Sequence, residues 1–123
     1  MLRLLLDEQI SPIVATRLKQ KRKEIEIYGL IDFENGRYRA RRDEILLEVA
    51  YVTRLTLVTY DLSTIPPILK QWGEEGRAHG GLILIDDRTI ANDAFGELVK
   101  ALEKLWDAEH ELDWCNRTKF LKP

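Results

Sequence analysis

Sulfur and imidazole are scarce in this chain: one cysteine, one methionine and two histidines among 123 residues. The lone Cys115 excludes an internal disulfide and leaves a thiolate zinc site without a second thiolate. A single thiol fits a reducing compartment, so a cytoplasmic location is expected. His79 and His110 are too few and too far apart for a histidine-based metal site, and His79, beside two glycines, reads as a surface turn. No apolar stretch approaches the ~18 residues a membrane-spanning helix needs. The opening apolar run is short and acids follow it at once, unlike a secretory signal. Also missing are a GxxxxGK phosphate loop, a GxGxxG dinucleotide fingerprint and a GxSxG nucleophile elbow. With a formal net charge of −2, the chain has no global positive field to draw nucleic acid, although a local basic patch is not excluded.

What is present suits one globular domain spanning residues 1–123. The chain is 45% hydrophobic and 33% charged, and its length matches a single core. Leu2 to Leu6 is an apolar run ending in Asp7-Glu8 and reads as a buried central strand. Ser11 and Pro12 suit a helix start, with Ile10, Val14 and Leu18 on one face. Arg17, Lys19, Lys21, Arg22 and Lys23 read as a solvated helix end.

Glu24 to Tyr28 alternates as a short strand, and Gly29 to Arg42 is irregular. A helix is expected from Asp43 to about Thr53, with Asp43 as its N-cap, and a strand from Leu55 to Thr59. Ser63 or Thr64 would cap a helix holding Pro66-Pro67 in its first turn. Leu82 to Ile85 is the fourth strand. Asn92 or Asp93 would cap a last helix whose stripe is Phe95, Leu98, Val99, Leu102, Leu105 and Trp106. Thr118 to Leu121 is a short edge strand. Strict strand–helix alternation implies an α/β fold: a three-layer α/β/α sandwich around a mostly parallel sheet of about five strands. Right-handed crossovers would then fix most of its topology.

The chemistry left to such a chain is that of carboxylates. Asp7 and Asp61 follow two apolar strands, and Asp43 begins the helix between them. In open α/β sheets, ligands bind at the carboxyl ends of strands. Clustered carboxylates repel unless a cation neutralises them, and their hard oxygens suit Mg²⁺ or Mn²⁺. Two such ions ~4 Å apart activate water and stabilise a leaving oxygen in phosphodiester cleavage. Arg37, Arg39, Arg41 and Arg42, interleaved with Tyr38, could grip phosphates and stack a base. The plainer readings are that each Asp is a cap or turn residue and that the arginines mark an exposed loop. Acids at two strand ends also suggest a receiver-like phosphoacceptor domain, but Lys119 and Lys122 are poorly placed for its lysine.

Three blocks carry a resemblance. They are Leu4-Leu5-Leu6-Asp7-Glu8-Gln9-Ile10-Ser11-Pro12, Asp43-Glu44-Ile45-Leu46-Leu47-Glu48-Val49-Ala50, and Leu57-Val58-Thr59-Tyr60-Asp61. With His79-Gly80-Gly81-Leu82-Ile83-Leu84-Ile85 they span nearly the whole chain. In order and spacing these blocks resemble PIN-like domain proteins of the DUF5615 type, relatives of PIN-domain ribonucleases and VapC-like toxins. The resemblance implies a PIN-like sandwich. It also implies metal-dependent cleavage of single-stranded RNA, with Asp7, Asp43 and Asp61 as metal ligands, Glu8 and Glu44 as adjacent substitutes, and Asp86 or Asp87 as a candidate fourth acid. Such a protein is often the toxin of a toxin–antitoxin pair, so an antitoxin protein and a homodimer are the partners implied. Ser63 and Ile65 replace the second Asp and the Phe of the family's T-x-D-x-D-F pattern, and Gln9 stands where His or Asn is commoner. Those departures motivate the alternative of a PIN-like module that binds RNA or protein without cutting.

Overall fold

In the computed structural model, which describes residues 1–123, the chain alternates strands and helices. The strands are β1 (Leu4–Leu6), β2 (Ile27–Gly29), β3 (Thr56–Thr59), β4 (Leu82–Leu84) and β5 (Thr118–Phe120). The helices are α1 (Pro12–Lys21), α2 (Asp43–Thr53), α3 (Ile65–Glu74) and α4 (Phe95–Glu109). A short 3-10 turn, Phe33–Gly36, interrupts the loop before α2. All neighbouring strands pair in parallel, in the order β2-β1-β3-β4-β5. No helix is long and apolar enough to cross a membrane.

β1 lies inside the sheet and is buried on both faces, which is why it reads Leu-Leu-Leu without polar alternation. Leu4 and Leu6 enter one core layer with Val14 and Leu18 of α1 and Leu98, Leu102 and Trp106 of α4. Leu5 enters the other, with Leu46 and Leu47 of α2 and Ile65 and Trp72 of α3. The expected three-layer α/β/α fold is therefore observed. Pro66 and Pro67 occupy the first turn of α3, where no intrahelical N–H is lost.

Two expectations are corrected in detail. Asn92 and Asp93 do not cap α4, whose N-cap is Ala94 without a side-chain bond. Arg22 is not a solvated cation: it reaches Glu103 at 3.1 Å and Asp107 at 2.8 Å, tying α1 to α4.

One connection differs in hand. β1 to β2 crosses by α1, whereas β4 to β5 runs the opposite way across the sheet. Yet α4 lies on the same face as α1. The other two crossovers run in the β4-to-β5 direction, but over the opposite face. The β4–α4–β5 unit is thus opposite in hand to the other three, against the general right-handed rule.

The turn before β4 is buried rather than exposed. His79 is 7% exposed. Its Nδ1 accepts the Gly81 N–H at 3.0 Å, and its own N–H donates to Asn116 Oδ1 at 3.0 Å. Burial pushes the imidazole below its usual pKa. Gly81 has φ +104°, and a Cβ there would sit 2.6 Å from the Trp114 carbonyl oxygen. Gly81→Ala therefore incurs both backbone strain and a clash, and is expected to cost about 2 kcal/mol or more in urea denaturation. A cost below ~0.5 kcal/mol would show that this turn relaxes freely.

Candidate functional site

Because every strand runs the same way, β1 and β3 deliver Asp7 and Asp61 to one edge of the sheet. Sequential connections leave this strand pair in opposite directions, which makes their carboxyl ends the crevice where open α/β sheets take ligands. Asp7 is 9% exposed and firmly held. Its N–H donates to the Val58 carbonyl at 2.9 Å. Its Oδ1 accepts the Glu8 N–H at 2.7 Å, and its Oδ2 accepts the Thr59 hydroxyl at 2.7 Å. Thr59 Oγ1 in turn accepts the Asp61 N–H at 3.0 Å. One buried hydroxyl therefore sets the spacing between the first and third acids.

Asp61 turns its side chain onto the start of α3. Its Oδ1 accepts the N–H groups of Ser63 at 3.0 Å and Thr64 at 2.8 Å, and the Thr64 hydroxyl donates to its Oδ2. Burial pushes the Asp61 carboxyl up, but the bonds from Thr64 and Ser63 outweigh it and hold the group below the usual range. Neither Ser63 nor Thr64 makes a side-chain cap to α3; Asp61 instead holds the turn that leads into the helix.

Asp43 is not the N-cap of α2. Arg42 holds that position, and Asp43 is the first helical residue. Its carboxylate reaches across to the Thr64 hydroxyl at 3.2 Å. Burial raises its pKa first; the Thr64 bond lowers it, while repulsion from Asp61, Asp7 and Glu44 raises it again, and the net shift is upward. Thr64 Oγ1 thus stands within reach of two carboxylates but carries one proton. When Asp61 takes that proton's bond, Asp43 is left facing a hydroxyl lone pair. A proton on Asp43 removes the conflict, and so would a cation.

The remaining acids are engaged elsewhere. The Glu8 carboxylate accepts the Ala40 N–H and so pins the arginine-bearing loop to this edge. Glu44 lies 3.8 Å from Arg42. Asp86 is clasped by Arg88 at 2.8 and 3.1 Å. That guanidinium holds its carboxyl below the usual range. No group of three His, Cys, Asp or Glu side chains is arranged to hold a metal ion. The donors have the right chemistry for a hard divalent cation, since three carboxylates gather at one edge and repulsion from Asp61, Asp7 and Glu44 adds to burial in raising Asp43. Their oxygens are turned onto threonine and backbone donors rather than onto a common point.

Beside the acids, Arg37, Arg39, Arg41 and Arg42 are all exposed. Arg37, Arg39 and Arg41 enter no ion pair. The Arg37 guanidinium lies 5.6 Å from the Tyr38 ring centroid. Tyr38 packs near Phe33, which is buried beneath the loop. Two cavities, of about 700 and 520 Å³, are lined by none of the three acids. His79 lies at the opposite edge, before β4, so it does not meet a ligand here. Lys119 bonds Glu109 on α4, leaving the receiver-like reading without its lysine at that position.

Sequence reasoning found the three acids but missed Thr59 and Thr64 as the groups that position them. The available signal was Thr59-Tyr60-Asp61 itself: a hydroxyl two residues before an acid at a strand end. No family model, curated protein or solved structure matches the chain.

Asp43 carries the pH test. Its folded pKa lies above the ordinary carboxylate value, so its ionisation opposes folding. The penalty is absent below the unfolded pKa, grows as pH rises towards the folded value, and is full above it. Asp43→Asn is expected to raise Tm by about 1–3 °C at pH 7, with the gain vanishing near pH 3.5. A lowered Tm at pH 7 would show that the charged carboxylate is needed for the fold.

Proposed function

We propose that this protein is a Mg²⁺- or Mn²⁺-dependent ribonuclease of the PIN-like type that cleaves single-stranded RNA at the Asp7–Asp43–Asp61 edge. The observation that carries the reading is the gathering of Asp7, Asp43 and Asp61 at one edge, linked through the Thr59 and Thr64 hydroxyls, with the exposed arginine-bearing loop pinned there by Glu8. Asp7, Asp43 and Asp61 would hold the cation, which would activate water and neutralise charge on the cleaved phosphate. Asp7 needs no reorientation of its backbone, because Thr59 and Val58 fix it. Asp61 and Asp43 would exchange the shared Thr64 hydroxyl for the ion. Arg37, Arg39, Arg41 and Arg42 would bind RNA phosphates, and Tyr38 offers a ring for base stacking. A toxin role with an antitoxin partner is the biological setting this activity fits.

A second reading is supported by the absence of a ready-made ligand group. In it the same edge binds RNA through the arginines and does not cut.

Asp7→Asn and Asp61→Asn are expected to lower Mn²⁺-dependent cleavage of single-stranded RNA about a hundredfold or more while the fold is retained. Equal cleavage in EDTA would overturn the metal mechanism. Saturable RNA binding with no Mn²⁺ uptake in calorimetry would establish the second reading instead.

A further inference from the structure

We propose that the outer edge of β5 is a docking site for an extended segment of a partner protein, apolar and acidic in alternation, which adds as a sixth parallel or antiparallel strand. This inference is independent of the nuclease reading and concerns a different side of the sheet.

β5 pairs only with β4. Leu82 N–H donates to the Arg117 carbonyl at 2.9 Å, and Leu121 N–H donates to the Leu84 carbonyl at 2.8 Å. Backbone groups alternate in direction along a strand, so Arg117, Lys119 and Leu121 face β4. The N–H and C=O groups of Thr118 and Phe120 therefore point outward. Both residues are exposed, and Phe120 is 49% exposed.

A groove of about 190 Å³ runs between this edge and α4, with an apolar floor of Ala101, Leu105, Ala108 and Leu121. A strand hydrogen-bonded to Thr118 and Phe120 would send alternate side chains into that groove, which has room for an aliphatic group. The intervening side chains would lie along Phe120.

Charge selects the occupant. Lys104, Lys119 and Lys122 rim the groove. The only acidic side chain there, Glu109, is already taken by Arg117 and Lys119. Lys104 and Lys122 enter no ion pair. Lysines on an edge strand keep it from pairing with copies of itself. β5 against β5 would set like charges together, whereas an acidic strand would meet them favourably. Main-chain bonds would give such a complex its affinity, and the groove and lysines its selectivity.

The test uses a fluorescein-labelled peptide of alternating valine and glutamate, read by anisotropy against the full chain. Saturable binding is expected, weakening as salt rises. Thr118→Pro removes an outward N–H without touching the β4 ladder, and is expected to weaken binding tenfold or more with Tm unchanged. Lys104→Glu with Lys122→Glu is expected to do the same through charge, which covers the case in which the proline variant fails to fold. Amide exchange at Thr118 and Phe120 should slow on binding. Unchanged binding by either folded variant overturns the proposal, as does equal binding of a valine–lysine peptide. Sedimentation showing a dimer that Thr118→Pro dissolves would assign the edge to a second copy and also overturn it.

Discussion

Parallel pairing of every strand is the constraint from which the rest of this molecule follows. A parallel sheet needs a crossover for each added strand, so helices must cover it and the inner strands lose contact with water. It also sorts the chain into two edges. Everything that follows a strand gathers at one, and everything that precedes a strand gathers at the other. Asp7 and Asp61 meet because β1 and β3 are neighbours. The buried His79 turn, which precedes β4, belongs to the opposite edge and serves packing. Position in the topology thus separates a chemical edge from a structural one before any side chain is considered.

At the chemical edge, two threonine hydroxyls do what the backbone cannot. Thr59 fixes Asp7 relative to Asp61, and its bond is buried, where losing a partner costs about 1–3 kcal/mol. Thr64 stands between Asp61 and Asp43. The first arrangement is fully satisfied; the second is short of one proton. Asp7 and Asp61 are well supplied with donors, whereas Asp43 has only its share of the Thr64 hydroxyl, and burial together with the neighbouring acids raises its carboxyl. Stability and binding therefore pull in opposite directions on Asp43: its charge weakens the folded state and would strengthen a cation complex.

Much of this was legible in the sequence, for identifiable reasons. Leu4 to Leu6 lacks polar alternation because both faces of β1 are covered, and that signal is unambiguous over even three residues. Asp7 and Asp61 were legible as neighbours because each follows an apolar strand and the strands pair in parallel, which brings both to one edge. What was not legible depends on distance in space. Asp43 and Thr64 are far apart in sequence, so nothing local distinguishes an Asp that caps α2 from one that reaches across to α3. The same holds for Arg22, whose partners lie on α4, and for His79, whose backbone N–H is held by Asn116. Local composition made all three look like surface or capping residues.

The hand of the last crossover links the fold to the β5 edge. Had α4 passed over the α2–α3 face, it would have covered Thr118 and Phe120, which point to that side in register with Leu82 and Leu84. Instead it lies beside α1, held by Trp106, Arg22 and Glu103. Leu121 and the aliphatic stem of Lys119 face α4, while Phe120 remains half exposed. A connection of uncommon hand is retained only if packing elsewhere compensates for it, and the α1–α4 contact does so. The consequence is a sheet finished on one face and unfinished on the other, at a strand whose outer backbone is also open.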